Sequence, residues 1–232
     1  NSRPSWGDDG ETTNWDDVDL DEVGAVLATR LAILKACRRI AEDRPDDPDA
    51  QRRTIVAEGA IALSLSVLAR ALKRSQPELS QVFHQAVAGI RRRNLDDRMA
   101  LAGDHEDPDV IRAEYNLAAT LIAIGEPVEA LALTEHVVGV RLHLYGDLHM
   151  LSLNALHQDG MARFSAARHR AENGDHDLSA IEAELRLAEQ EMVAVTEARE
   201  ALLGPDHTQV RNSRRLLRRI RDQRGKQPAH AG

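Results

Sequence analysis

Gly103–Gly146 reads GDHEDPDVIRAEYNLAATLIAIGEPVEALALTEHVVGVRLHLYG, and this stretch decides the fold. Apolar residues recur at Ala113, Leu117, Leu121 and Ile124, stop at Gly125, and resume after Pro127 at Ala130, Leu131, Val137, Val138 and Leu142. Steps of three and four place each set on one face of a helix. Asp107 before Pro108 is a helix start, because the carboxylate caps free amides and proline needs none. Gly125 suits a left-handed helix end. Two helices of about 16 to 18 residues joined by so short a turn must pack antiparallel.

The closing signal of this hairpin recurs. Leu101-Ala102-Gly103-Asp104-His105, Leu144-Tyr145-Gly146-Asp147-Leu148-His149 and Leu203-Gly204-Pro205-Asp206-His207 share a Leu, a Gly and an Asp just ahead of a His. Their glycines are 43 and then 58 residues apart. A repeat of that length belongs to stacked helical hairpins, since a lone hairpin leaves one face unburied. The fold class expected is all-α, an array of antiparallel hairpins. The punctuation, with Gly125-Glu126-Pro127 at the internal turn, resembles the tetratricopeptide repeat, specifically the longer-period subclass of kinesin light chains and many bacterial regulators. It covers roughly residues 101 to 221. The resemblance implies a right-handed solenoid with a concave peptide groove.

Outward from the central hairpin, Arg44-Pro45-Asp46-Asp47-Pro48-Asp49 is a break between a first helix, about Leu20 to Asp43, and a second, about Ala50 to Arg74. The first helix carries Val23, Leu27, Leu31, Leu34 and Ile40 on one face, with Cys37 read as a buried thiol. A third helix starts at Pro77 and ends at the basic run Arg91–Arg93, where cations suit the carboxyl end of the dipole. Asn94–Ala102 is either a short helix or an extension of it. Residues 50–92 thus read as an eroded relative of the central hairpin. Beyond it, helices of about Leu148–Glu172 and Asp177–Leu203 form a lengthened hairpin, and about Asp206–Arg224 forms a cap. The seam Leu178, Ile181, Leu185, Ala188, Met192, Val195 and Leu202 is long enough to suggest self-association through 148–203. The organisation expected is an acidic disordered or docking tail over 1–19, an N-terminal helical region with a degenerate hairpin over 20–102, hairpins with a cap helix over 103–224, and a tail over 225–232.

Composition narrows the function. Aromatics are 3% of the 232 residues and the net charge is −8, which disfavours nucleic acid as the partner of the whole chain. The single cysteine permits no disulfide within the chain. Residues 1–22 are acidic and polar, unlike an apolar signal segment, and nowhere do 18 apolar residues run together, so the expectation is a cytoplasmic protein with no membrane span. The sequence does not begin with Met, which suggests a trimmed chain or an excised domain. The His-Glu-x-x-His metal motif, Gly-rich phosphate loops and a serine nucleophile elbow are all missing. No catalytic residue, metal or cofactor is expected, and His105, His149 and His207 read as groups that bond helix ends.

The candidate residues are for binding. In light-chain-type repeats an Asn before Leu-Ala on the first helix of each hairpin faces the groove and bonds peptide backbone, and Asn116-Leu117-Ala118 matches. The corresponding later positions hold Gln158 and, nearby, Arg215. Arg112 and Arg141 join them by helix face. Trp15, Asp16 and Asp17 in the acidic tail resemble the tryptophan-acidic peptides that such grooves accept, which suggests a tail docking on the array. The function expected is a non-enzymatic protein-interaction module of a bacterial-type regulatory or signalling assembly, binding peptide or acidic segments. The rival is a ligand-sensing or nucleic-acid-linked regulatory domain using the last helix, where Arg211, Arg214, Arg215, Arg218, Arg219, Arg221, Arg224 and Lys226 face a lone Asp222.

Overall fold

The computed structural model describes residues 18–174 and 177–226. Trp15, Asp16 and Asp17 lie outside the described residues. Among the described residues there are eight helices and no strand. They are α1 (Leu20–Asp43), α2 (Pro48–Leu72), α3 (Pro77–Ala102), α4 (Pro108–Ile124), α5 (Pro127–Tyr145), α6 (Met150–Glu172), α7 (Leu178–Leu203) and α8 (Thr208–Arg224).

The ends of these helices follow from local chemistry. Asp19, Asp47 and Asp107 each accept two backbone N–H bonds from the turn that follows, at 2.8 to 3.4 Å. Each such cap stabilises its helix by about 1 kcal/mol. His149 and His207 cap α6 and α8 through Nδ1, which accepts the N–H of Leu151 or Gln209 at 3.2 Å. At the other ends Gly103, Gly125, Gly146, Gly174 and Gly204 all have positive φ. Gly125 (φ 84, ψ 28) shows the reason, because its left-handed turn lets the Glu126 amide reach back to the Leu121 carbonyl. Replacing Gly125 by Val should destabilise the protein by about 1–2 kcal/mol, since a β-branched side chain resists that backbone. Thermal unfolding reads this out, and an unchanged midpoint contradicts it.

The chain divides at 133/134, within α5, into two compact units. In the first, α1 packs on α2, α2 on α3 and α3 on α4. Leu34, Ala57 and Ile61 form one enclosed cluster there, with Leu27 and a half-buried Cys37 against it. Leu31 and Ile40 of α1, expected on its inner face, are instead 50% and 43% exposed. Helix α3 does not stop at Arg93. It continues to Ala102 because Asn94 and Leu95 are buried, with Asn94 Nδ2 donating to the Ile55 carbonyl at 2.6 Å. Arg92 is occupied by Glu126 and Glu129 at the start of α5 instead of by its own helix end. Helix α2 has the length and composition to cross a bilayer, but half of its apolar window is buried inside the protein, as for a core helix.

In the second unit α6 packs on α7 and α7 on α8, and α6 also touches α8. Ile181, Leu185, Ala188, Met192 and Val195 of α7 are enclosed by Leu153 and Phe164 of α6 and by Leu216, Leu217 and Ile220 of α8. Burying each large side chain contributes about 1.5–3 kcal/mol. Gly160 lets α6 approach α7 closely, since a Cβ there would lie 2.9 Å from the Met192 sulfur. Most of the α7 seam is therefore covered from within one chain, while Leu202 of the seam and Leu187 outside it are exposed. The apolar length of α7 thus does not by itself require a second copy.

Candidate functional site

A groove runs over the first unit where α2 and α4 flank α3. Its volume is about 280 Å3. One wall is Val56, Gly59, Ala60 and Leu63 of α2, the floor is Ile90, Arg91 and Asn94 of α3, and the other wall is Arg112, Ala113 and Asn116 of α4. The small residues on α2 keep it open. A Cβ built on Gly59 meets nothing within 4 Å.

The polar groups differ in how far they are committed. Arg91 lies along the floor and donates to the Asn116 carbonyl and to Thr120 Oγ1, so it ties α3 to α4 while leaving its charge beneath the groove. Arg98 donates to Asn94 Oδ1 at 2.9 Å, and its nearest carboxylate, Asp109, stands 3.4 Å away. Burial lowers the Arg98 pKa, with Asp109 opposing, so this cation is only partly compensated. Arg112 pairs with Asp109 at 2.7 Å, but both side chains are more than half exposed, and such a pair exchanges readily with water. Asn116 is exposed, and its side-chain amide has no hydrogen bond among the described residues. The groove thus offers apolar walls, an amide that donates and accepts, and arginines beside one carboxylate.

Two of the residues picked from the sequence, Arg112 and Asn116, meet in this groove. The others do not. Arg141 is buried, with Nη1 donating to the Leu151 carbonyl at 3.1 Å, so it braces α5 against α6. Gln158 is buried inside the second unit. Arg215 is exposed on α8, also in the second unit. Missed by sequence were Val56, Gly59 and Arg98. The unused signal for Val56 and Gly59 was an apolar run in α2 interrupted by a lone helical glycine.

The second unit holds two constellations with catalytic residue types. Ser213 Oγ lies 3.4 Å from His157 Nδ1, but Ser213 also receives Arg199 Nη1 at 2.8 Å and donates to the Gln209 carbonyl. Burial, reinforced by Arg199, holds the His157 pKa well below its ordinary value, so the ring is a poor base. The other constellation surrounds Arg163. Its Nε lies 2.7 Å from Asp159 and 3.5 Å from Glu191, Nη1 is 3.1 Å from Glu184, and Nη2 is 2.9 Å from Glu135. Thr134 Oγ1 donates to the other Asp159 oxygen at 2.6 Å. Burial works against the Arg163 charge, but Asp159 and Glu191 outweigh it and raise its pKa. Burial and then the Asp159 charge push the Glu191 carboxyl up to about 8, and its Oε2 is buried without a hydrogen-bond partner. These groups join α5, α6 and α7. Among the described residues no three His, Cys, Asp or Glu side chains are grouped to hold a metal ion.

No protein-family model matches the chain, and no curated protein matches it. Among solved structures it is similar to the crystal structure of BtubC (BKLC) from P. vanneervenii, with a TM-score of 0.32 and 13% identity over 88% of this chain and 92% of that one.

Proposed function

We propose that the protein is a non-enzymatic interaction module whose α2–α3–α4 groove binds an acidic peptide segment of a protein partner, in the manner expected of tetratricopeptide-type arrays. The observation that carries this reading is the meeting of exposed Asn116 and Arg112 with apolar small-residue walls and the partly compensated Arg98. Asn116 would bond peptide backbone, the arginines would take carboxylates, and Val56 and Leu63 would contact an apolar anchor. The chain's own segment around Trp15, Asp16 and Asp17 has this composition and serves as the first ligand to test. A cytoplasmic regulatory or signalling assembly is the setting proposed.

The rival reading through α8 has less support. Arg214 pairs with Glu200, and Arg221 and Arg224 pair with Glu182 and Glu189 of α7, so much of the basic run holds the cap helix in place.

The test uses a labelled peptide of residues 11–22 and the chain lacking residues 1–18, which keeps the Asp19 cap. Gly59→Trp puts a bulky ring at a wall position where a Cβ meets nothing within 4 Å, and it removes a glycine from a helix interior; an unaltered circular dichroism spectrum is the control for the fold. Affinity should fall at least tenfold in Gly59→Trp and in Arg112→Glu, and should weaken with added salt. Equal or negligible binding to all three proteins would rule the groove out as the peptide site.

A further inference from the structure

A second hollow, of about 550 Å3, lies away from the groove's α4 wall, where the end of α1, the start of α2 and the end of α3 converge. That volume is in the range of sites for small molecules or a few side chains. Its floor is apolar, with Ile55 and Leu101, and Ala41 and Ala100 leave room above it. The side chain of Gln51 donates to the Pro45 carbonyl at 2.6 Å and braces the loop that forms one wall.

The charges around this floor are unbalanced. Glu42 and Asp97 line the hollow, and neither makes a hydrogen bond or ion pair among the described residues. Arg38 is the one cation in the lining, and it is already tied to Glu58 at 2.6 Å. Burial, then Glu58 and Asp96, raise the Asp97 pKa against the pull of Arg93. Both carboxylates are exposed at the rim of the hollow, without an ion-pair partner among the described residues, beside the apolar floor of Ile55 and Leu101.

We propose that this hollow binds a cation carried on an apolar stem, a guanidinium or ammonium group, with the charge between Asp97 and Glu42 and the stem over Ile55 and Leu101. A planar guanidinium fits best, because two carboxylates give it paired acceptors. An anion of the same stem is repelled, and a neutral stem gains the apolar contact alone. The same chemistry comes either from an arginine or lysine side chain of a partner protein or from a free alkyl amine or guanidine. The site is independent of the peptide groove.

Methyl NMR of the full chain tests this, with n-butylguanidinium, 1-pentanol, pentanoate and the peptide acetyl-Leu-Arg-Leu-amide as probes. Both cations should shift the Ile55 and Leu101 methyl signals saturably. Pentanol should bind at least tenfold more weakly, and pentanoate should leave both signals in place. Asp97→Asn, an exposed change of nearly constant shape, should weaken cation binding at least tenfold with an unaltered circular dichroism spectrum, whereas Gly59→Trp should not affect it. Binding of the peptide more than tenfold tighter than butylguanidinium assigns the site to a partner's side chain; equal or weaker peptide binding assigns it to a free amphipathic cation. The proposal is overturned if neither cation shifts these methyls saturably, if pentanol binds equally well, or if Asp97→Asn binds as the native chain does.

Discussion

Replacing Arg163 by Leu lowers the stability of the protein by about 3–5 kcal/mol, the loss expected when one partner of a buried charge network is removed. The guanidinium stands within 3.5 Å of Asp159, Glu135, Glu184 and Glu191. Glu135 is half exposed and can turn to water, but the Asp159 side chain is 2% exposed and cannot. Leucine leaves the Asp159 charge in a poor solvent with no cation beside it, although Thr134 still donates to it. Urea unfolding at pH 7 measures the loss. Adding Asp159→Asn and Glu191→Gln to Arg163→Leu should restore most of it, because no unpaired charge then remains buried. A loss below about 1 kcal/mol for Arg163→Leu would mean that water solvates the cluster well enough to replace the arginine.

Glu191→Gln should make the protein more resistant to alkaline conditions. The folded pKa of Glu191, about 8, lies above its ordinary value of 4.5, so the fold holds a proton that the unfolded chain releases. Stability from this group is fully present below pH 4.5 and is lost as pH rises through 8. The depressed pKa values of His84 and His157 give the opposite slope, since both rings prefer to be neutral in the fold. Their effect ends near their unfolded value of 6.5 and is common to both proteins. Between pH 6.5 and 8 the native protein should therefore lose roughly 2 kcal/mol relative to Glu191→Gln, at about 1.4 kcal/mol per pH unit. Thermal unfolding in that window is the measurement. Parallel curves for the two proteins would show that Glu191 is ionised in the fold at neutral pH.

The helix ends were legible because their causes are local. Asp47-Pro48, Asp107-Pro108 and Gly125 carry the cap, the missing donor and the left-handed turn within a few residues of one another. The end of α3 was not legible, because what continues it past Arg93 is the bond from Asn94 to Ile55, 39 residues earlier. The same division applies to the sites. Asn116 came from the resemblance to light-chain-type repeats and Arg112 from its helix face, and both stand on one wall of the groove. Helix face also selected Arg141, but it cannot tell open surface from a face covered by the next helix, and Arg141 lies under α6. In the sequence Asp159 and Arg163 are marked by nothing beyond a spacing of four; only packing shows that Glu135, Glu184 and Glu191 converge on them from other helices.

Helix α1 is fastened more lightly than the helices that follow. Two of its side chains, Val23 and Leu34, are fully enclosed, Arg30 adds bonds to the Ala60 carbonyl and Ser64 Oγ, and Val26, Leu31, Ile33 and Ile40 stay outside. The first unit consequently has an order of disassembly. Its amino-terminal helix can peel away at a free-energy cost well below that of global unfolding, while α2 and α3 stay paired. Each such excursion bares the α2 face around Ala57 and Ile61, a sticky surface in the midst of a native chain. Proteolytic nicking and aggregation of this protein would then be set by how often α1 lifts, and much less by how often the whole molecule unfolds.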